Sequence, residues 1–171
     1  MGDEISKMVK SCVSCAQVKA GFKDPAVELH PLPIRGLGYR WGVDFTRPMP
    51  TTKSSNKYVL VMIEHFTKRV ELVPLPNKTA DLTRATFLES VLSRFGAPAK
   101  VVTDQESEFK GEFFDLLHHH GIDHRMDSRE HSQADGLSER MVHTINRGLK
   151  KSMSEGAASD WDLLLPYVSM G

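Results

Sequence analysis

Residues 100–103 (KVVT) form a short apolar run that ends directly on Asp104, and the elements before it fix what the run can be. A helical pattern leads into it: Thr79 stands at a cap position, Leu88, Val91, Leu92 and Phe95 recur on one face, and Gly96 with Pro98 close the segment. Further upstream lie three strand-like runs, 39–46 (YRWGVDFT), 57–64 (KYVLVMIE) and 69–75 (RVELVPL). Together the three read as an antiparallel meander, and the helix before residue 100 predicts a crossover to a strand parallel to the first. Residues 113–120 read as another helix, stopped by Gly121, and 123–126 as a fifth short strand. A long helix carries the chain onward from Asp135-Gly136, and 161–168 reads as a last short one. The expected fold class is α/β: a mixed five-stranded sheet flanked by helices.

Three carboxylates fall at informative places in that order. Asp44 lies within the first strand, opposite Tyr39, Trp41, Val43 and Phe45, on a strand that the alternation predicts to be half-buried. It is either a solvent-facing residue on an edge strand or one that some ligand rewards, since aspartate is disfavoured in strands. Asp104 follows the fourth strand, at the carboxyl end where open α/β sheets place ligand groups. Glu139 sits in the first turn of the long helix, in which Val142, Ile145, Leu149 and Met153 make the buried stripe. Glu139, His143, Asn146, Arg147 and Lys150 make the opposite face. A carboxylate there also suits the helix dipole, so a capping role is the plain alternative. In this element order the first and fourth strands are neighbours and the long helix crosses beside them. Three oxygen donors with no His or Cys among them suit Mg²⁺ or Mn²⁺. Two such ions would let Asp44 bridge while Asp104 and Glu139 hold one each, the arrangement for in-line phosphodiester displacement.

The rest of the chain bounds this reading. With 171 residues and 40% hydrophobic side chains, one main core is expected, over 39–171, behind a Pro- and Gly-rich linker at 21–38. No apolar run approaches the roughly 18 residues of a membrane span. Residues 1–20 read as a short helix around Cys12 and Cys15, which are either half of a zinc site or two small buried residues. Formal net charge is zero, which argues weakly against nucleic acid; residues 61–138 hold thirteen Asp/Glu against nine Lys/Arg, where a carboxylate metal site would place its charge, and the balance leaves the question open. His118, His119 and His120 cannot converge on one ion from consecutive helical positions and are read as an exposed helix end.

W-G-V-D-F at 41–45, V-T-D-x-x-S-E-F at 102–109 and H-x-Q-A-D-G-L-S-E-R at 131–140 together resemble retroviral and LTR-retrotransposon integrases, specifically the gypsy type. The resemblance, like the element order, implies the RNase H-like fold, and the family's D,D-35-E pattern falls on Asp44, Asp104 and Glu139. K-S-C-V-S-C at 10–15 resembles the second half of the family's His-His-Cys-Cys domain, so 1–20 is expected to be the end of a zinc-binding domain. Cys12 and Cys15 would bind Zn²⁺ only if histidines precede them. The implied activity is metal-dependent trimming of the 3′ ends of element DNA and their transfer into target DNA. The implied partners are element DNA ends, target DNA and further subunits, as a dimer or tetramer. The implied setting is the nucleus, with a virus-like particle before nuclear entry. Expected DNA contacts are Gln133, His143, Asn146, Arg147, Lys150 and Lys151.

Several positions depart from the family pattern. Only 34 residues, 105 to 138, separate Asp104 from Glu139, a shortening expected to fall in the 113–120 helix. Ser132 replaces the usual proline, and His143 and Asn146 fall where relatives often carry basic residues. The family's basic C-terminal domain is missing, and the end at Gly171 reads as a truncation. Glu106 replaces the usual glycine, where it should penalise a positive φ and bring negative charge to the DNA entrance. That residue is expected to depress activity. It is also the main support for the alternative of a host-adopted or decayed integrase that binds DNA or protein without catalysis. A nuclease or DNA transposase of the same superfamily is the other rival.

Overall fold

The computed structural model describes residues 36–126, 136–152 and 159–168, with the backbone alone for 136–139 and 150–152. The strands are β1 (Arg40–Phe45), β2 (Tyr58–Glu64), β3 (Val70–Leu75), β4 (Lys100–Thr103) and β5 (Asp123–Met126). They form one sheet in the order β3-β2-β1-β4-β5. β1 pairs antiparallel with β2, and β2 with β3; β4 lies parallel to β1, and β5 parallel to β4. The meander and the crossover both match expectation. β1 is therefore central, which removes the reading of Asp44 as a solvent-facing residue on an edge strand.

Helix α1 starts at Ala80, with Thr79 as its N-cap accepting from the Leu82 amide, and continues to Phe95 through one wide turn over Leu88–Leu92. That wide turn changes which residues face inward. Thr83, Phe87, Val91 and Leu92 are buried, while Leu88 and Phe95 are about 40% exposed, so the expected apolar face was wrong at those two positions. An inserted residue rotates everything beyond it by about 100°, which a fixed 3.6-residue period does not capture. Gly96 then leaves the helix at φ +80°, and Gly121 ends α2 (Glu112–His119) at φ +67°.

Two cores sandwich the sheet. On one face Trp41, Val43, Phe45, Leu60, Met62 and Val101 meet Phe87 and Val91 of α1 and Phe113 and Leu117 of α2. On the other, Val59, Val61 and Ile63 meet Ile145 and Leu149 of α3 (Gly136–Ser152), joined by Trp161 and Leu165. The last two belong to a tight turn, Trp161–Leu164, and a single helical turn, α4 (Leu165–Val168). Trp161 donates its indole N–H to the Pro50 carbonyl at 2.7 Å, and Asp162 accepts from Thr52 and Asn56 at 2.9 Å each, tying this segment to the β1–β2 loop.

Because both faces are covered, β1 is not half-buried as its alternation suggested. Arg40, Gly42 and Thr46 are buried along with the aromatic side, and only Asp44 keeps partial exposure. The expected stripe on α3 holds at Ile145 and Leu149, which are buried, and in part at Val142, which is half-buried. Met153 lies outside the described residues.

Candidate functional site

The register of the two central parallel strands brings the aspartates together. Arg40, Trp41 and Gly42 pair with Lys100, Val101 and Val102, and continuing that offset sets Asp44 level with Asp104. Parallel neighbours run about 4.8 Å apart, and level residues point to the same face. The face is settled by their neighbours. Asp44 pairs across the sheet with Val61, which lies in the core under α3, whereas Val43 and Phe45 pair with Met62 and Leu60 of the opposite core. So Asp44 opens onto the side that α3 covers, Asp104 follows directly on the end of β4, and Glu139 lies in the first turn of α3. The Glu139 side chain lies outside the described residues. Among those residues no three His, Cys, Asp or Glu side chains form a metal-holding group.

Each aspartate is oriented by a backbone amide. Asp44 Oδ1 accepts from the Phe45 N–H at 2.7 Å, and Asp104 Oδ1 from the Glu106 N–H at 3.1 Å. Burial pushes the Asp104 carboxyl above its usual range, and the neighbouring Glu108 charge adds to the rise, against the opposing Glu106 amide and Lys78 ammonium. A half-buried carboxylate with a raised pKa is one whose charged form a cation would stabilise.

Sequence reasoning missed two groups that hold the turn after Asp104. Lys78 Nζ lies 2.5 Å from Glu106 Oε2 and 2.6 Å from Glu108 Oε1, and its charge rests 5.3 Å from the Phe45 ring centroid and 5.8 Å from that of Tyr58. Burial alone would lower the Lys78 pKa, but the two carboxylates outweigh it and the net shift is upward. Hydrogen bonding with Glu108 pushes Glu106 up, the Asp104 charge adds to this, and Lys78 opposes it. Burial would raise Glu108, yet its bonds with Glu106 and Lys78 bring it below the usual range. Lys78 is 28 positions from Glu106, so no local pattern announces it. Of the three, only Glu106 stood out in the sequence.

The second missed group is Thr103 with His124. The buried Thr103 hydroxyl donates to the Asp104 carbonyl at 2.9 Å and lies 2.9 Å from His124 Nε2. A hydroxyl has one hydrogen to give, so His124 Nε2 must be the protonated nitrogen here. Its Nδ1 is buried without a hydrogen-bond partner among the described residues, and burial lowers the ring's pKa.

The Glu106 backbone does not bear out the strain expected of it. Its φ of −66° is ordinary for any residue, and its carboxylate is paired rather than bare. Of the expected DNA contacts, His143 and Arg147 are exposed on α3 and Asn146 is half-buried. Lys150 and Lys151 lie in the helix with side chains outside the described residues, and Gln133, Ser132, Cys12 and Cys15 lie outside them altogether. The three histidines are exposed at the end of α2, where His119 and His120 Nδ1 bond the Asp115 and Leu116 carbonyls and His118 stacks on Phe114.

Residues 36–132 match the integrase core domain family. The chain belongs to that family. The integrase core is 33% identical over 164 residues to the Pol polyprotein of radiation murine leukemia virus (strain Kaplan), covering 92% of the chain and 27% of the polyprotein. It is 31% identical over 172 residues to the Gag-Pol polyprotein of feline leukemia virus, covering 96% of the chain and 10% of that protein. It thus spans about a quarter or less of these curated relatives. Among solved structures it is similar to the HTLV-2 integrase catalytic core domain in complex with magnesium, with a TM-score of 0.58 and 22% identity over 77% of this chain and 82% of the other. It is also similar to a simian T-cell lymphotropic virus intasome in complex with PP2A regulatory subunit B56 gamma, with a TM-score of 0.66 and 20% identity over 98% of this chain and 59% of the other. The mixed five-stranded sheet flanked by helices is the RNase H-like fold of these cores.

Proposed function

We propose that this integrase core performs metal-dependent 3′-end processing and strand transfer, with Asp44, Asp104 and Glu139 as its catalytic carboxylates. The observation that carries the reading is the parallel register of β1 and β4, which carries Asp44 and, just past β4, Asp104 toward the same end of the sheet, with Asp44 on the face that the Glu139 helix covers. The donor set fits hard divalent cations, Mg²⁺ or Mn²⁺, and the raised Asp104 pKa marks a position that gains from one. Two such ions, when bound, would activate the attacking oxygen and stabilise the leaving oxygen.

In the first reaction water attacks a phosphodiester near the 3′ end of element DNA and releases a short 3′ fragment. In the second the new 3′-hydroxyl attacks a phosphodiester of target DNA, joining the two strands and freeing a target 3′-hydroxyl. Neither step needs a covalent protein intermediate. The protein's part is to fix the carboxylates through the Phe45 and Glu106 amides and to align DNA along α3. His143, Asn146 and Arg147, with Lys150, Lys151 and Gln133, are the proposed contacts.

The proposed partners are element DNA ends, target DNA and further copies of the chain, as a dimer or tetramer, in the nucleus and earlier in a virus-like particle. Residues 1–20 are proposed as the end of a zinc-binding domain, with Cys12 and Cys15 as ligands where upstream histidines complete the set. No helix among the described residues is long and apolar enough to cross a membrane.

The test is Mg²⁺-dependent cleavage and strand transfer on model DNA ends by the full-length protein, with Glu139→Gln as the decisive variant. Loss of strand chemistry with DNA affinity and thermal stability retained is expected. Near-normal cleavage by Glu139→Gln would reduce that residue to a helix cap.

A further inference from the structure

We infer that Lys78 is a positioning residue for the Asp104 carboxylate, acting through Glu106 and Glu108. The inference rests on the proposed role of Asp104 as a metal ligand and adds a residue that the carboxylate pattern does not contain.

The contacts form an unbroken chain. Lys78 stands between β3 and the α1 cap Thr79, and its ammonium reaches across to the turn that follows β4. There it meets Glu106 and Glu108 together. The Glu106 side chain is thereby held, and the Glu106 backbone N–H donates to Asp104 Oδ1. On its other side the ammonium lies over Phe45, the residue next to Asp44. One cation thus bridges the β1 and β4 ends on which the two aspartates lie.

The alternative is an ordinary surface ion pair, and Glu108 argues against it. Its side chain is 5% exposed, so its charge has left water and depends on the partner it keeps. Its neighbour Phe109 is fully buried against Phe45 and Phe113, 5.8 and 5.6 Å between centroids, which pins the turn from below. The Glu106 arm is half-exposed and as an ion pair contributes little. Its value is geometric, because the residue it holds supplies the amide that orients Asp104. Without Lys78, three carboxylates within five residues would face one another, and the turn that presents the Glu106 N–H would lose the cation that holds it together.

The experiment uses full-length protein and a model DNA end, and reads kcat, KM for DNA, the Mg²⁺ concentration for half-maximal cleavage, and Tm. Groups that orient metal ligands typically change metal affinity by about 10- to 100-fold when removed. Lys78→Met is therefore expected to raise the half-maximal Mg²⁺ about tenfold and to lower kcat, with KM for DNA little changed. Lys78→Arg, which keeps a cation able to bridge two carboxylates, should recover most of both. Adding Glu106→Gly to Lys78→Met should not restore activity, because it removes the held side chain instead of holding it.

An unchanged Mg²⁺ curve with only a lower Tm would make Lys78 a structural pair and overturn the inference. Restoration by Lys78→Met with Glu106→Gly would also overturn it, since Lys78 would then merely cancel a charge. A rise confined to KM for DNA would make Lys78 a phosphate contact and overturn it equally. If Lys78→Met fails to fold because Glu108 is left buried and unpaired, Lys78→Met with Glu108→Gln removes that charge and carries the same test. Asp104→Asn separates the two levels: retained cleavage in that variant would sink the metal reading of the site itself, whatever Lys78 does.

Discussion

Replacing Thr103 by valine should cost more than so small a change suggests, because one hydroxyl joins two strands to the Asp104 peptide. Valine keeps nearly the same volume at a site only 1% exposed, so packing changes little. Two hydrogen bonds are lost, to the Asp104 carbonyl and from His124 Nε2, each about 1 kcal/mol net. The His124 N–H is then left in a half-buried place without its acceptor, a further cost of about 1 kcal/mol. The sum is about 2–3 kcal/mol, or roughly 5–10 °C in Tm for a chain of this size. Urea unfolding followed by tryptophan fluorescence reads it directly, since Trp41 and Trp161 are both buried.

The background that checks the reasoning is His124→Leu. Alone it removes the donor to Thr103 and the ring contacts with Phe113 and Phe114, while the Thr103 hydroxyl keeps the Asp104 carbonyl, so it should cost about 1 kcal/mol. In that background Thr103→Val no longer strands an N–H and should cost only about 1 kcal/mol. A coupling of roughly 1–2 kcal/mol is therefore expected. A Thr103→Val effect below about 0.5 kcal/mol, or the same effect in both backgrounds, would refute the bridging hydroxyl. pH supplies an independent sign. The folded His124 pKa lies below its ordinary 6.5, so the unfolded chain takes up the proton first. Stability should be full above about 6.5 and decline as pH falls toward the folded value, and His124→Leu should flatten that decline.

Glu64 is 2% exposed and accepts from the Phe66 and Thr67 amides at 3.1 and 2.7 Å and from the Thr67 hydroxyl at 2.7 Å. Burial would raise its pKa, but those bonds outweigh it and the net shift is downward. Glu64→Gln should cost about 2–3 kcal/mol at pH 7 in urea unfolding, and the gap to the parent should close as pH drops below about 4.5 toward the folded value. Phe113→Ala, at a fully buried ring packed edge-on against Phe87 and Phe109, should cost about 3–5 kcal/mol in the same assay. Arg147→Gln should weaken DNA binding alike on every sequence and lower the salt slope by about one counterion, measured with full-length protein over a salt series. An unchanged slope would return α3 to a merely solvated surface.

The sheet and its order were legible because each signal was local: alternation, an apolar run, a glycine stop. The parallel pairing of β1 with β4 was legible only through topology, as a crossover that had to be parallel. What escaped was either a departure from a fixed period or a contact between distant residues. The wide turn in α1 has no signature in the residue types of 88–92, and beyond it Phe95 comes to lie at the edge of the core, about 40% exposed against Trp41. Lys78 reads as a loop lysine until the chain folds and sets it between two glutamates. Glu106 was misread for a related reason. The family's glycine led to a positive φ there, whereas the backbone of this chain is extended at that position.

The closing of the second core by Trp161 and Leu165 has a consequence for biosynthesis. Val59, Val61 and Ile63, on β2 next to the central strand, are buried by residues about a hundred positions later in the chain. As the polypeptide leaves the ribosome, the meander is available early, but that face of it stays uncovered until α3 and then Trp161 have emerged. For that interval the nascent chain displays a β-branched apolar strip of the kind that associates with its own copies. Ending the chain just before Trp161 would make the interval permanent, and the expected result is protein recovered in inclusion bodies. The yield of soluble protein would then depend on the segment that carries Trp161 and Leu165.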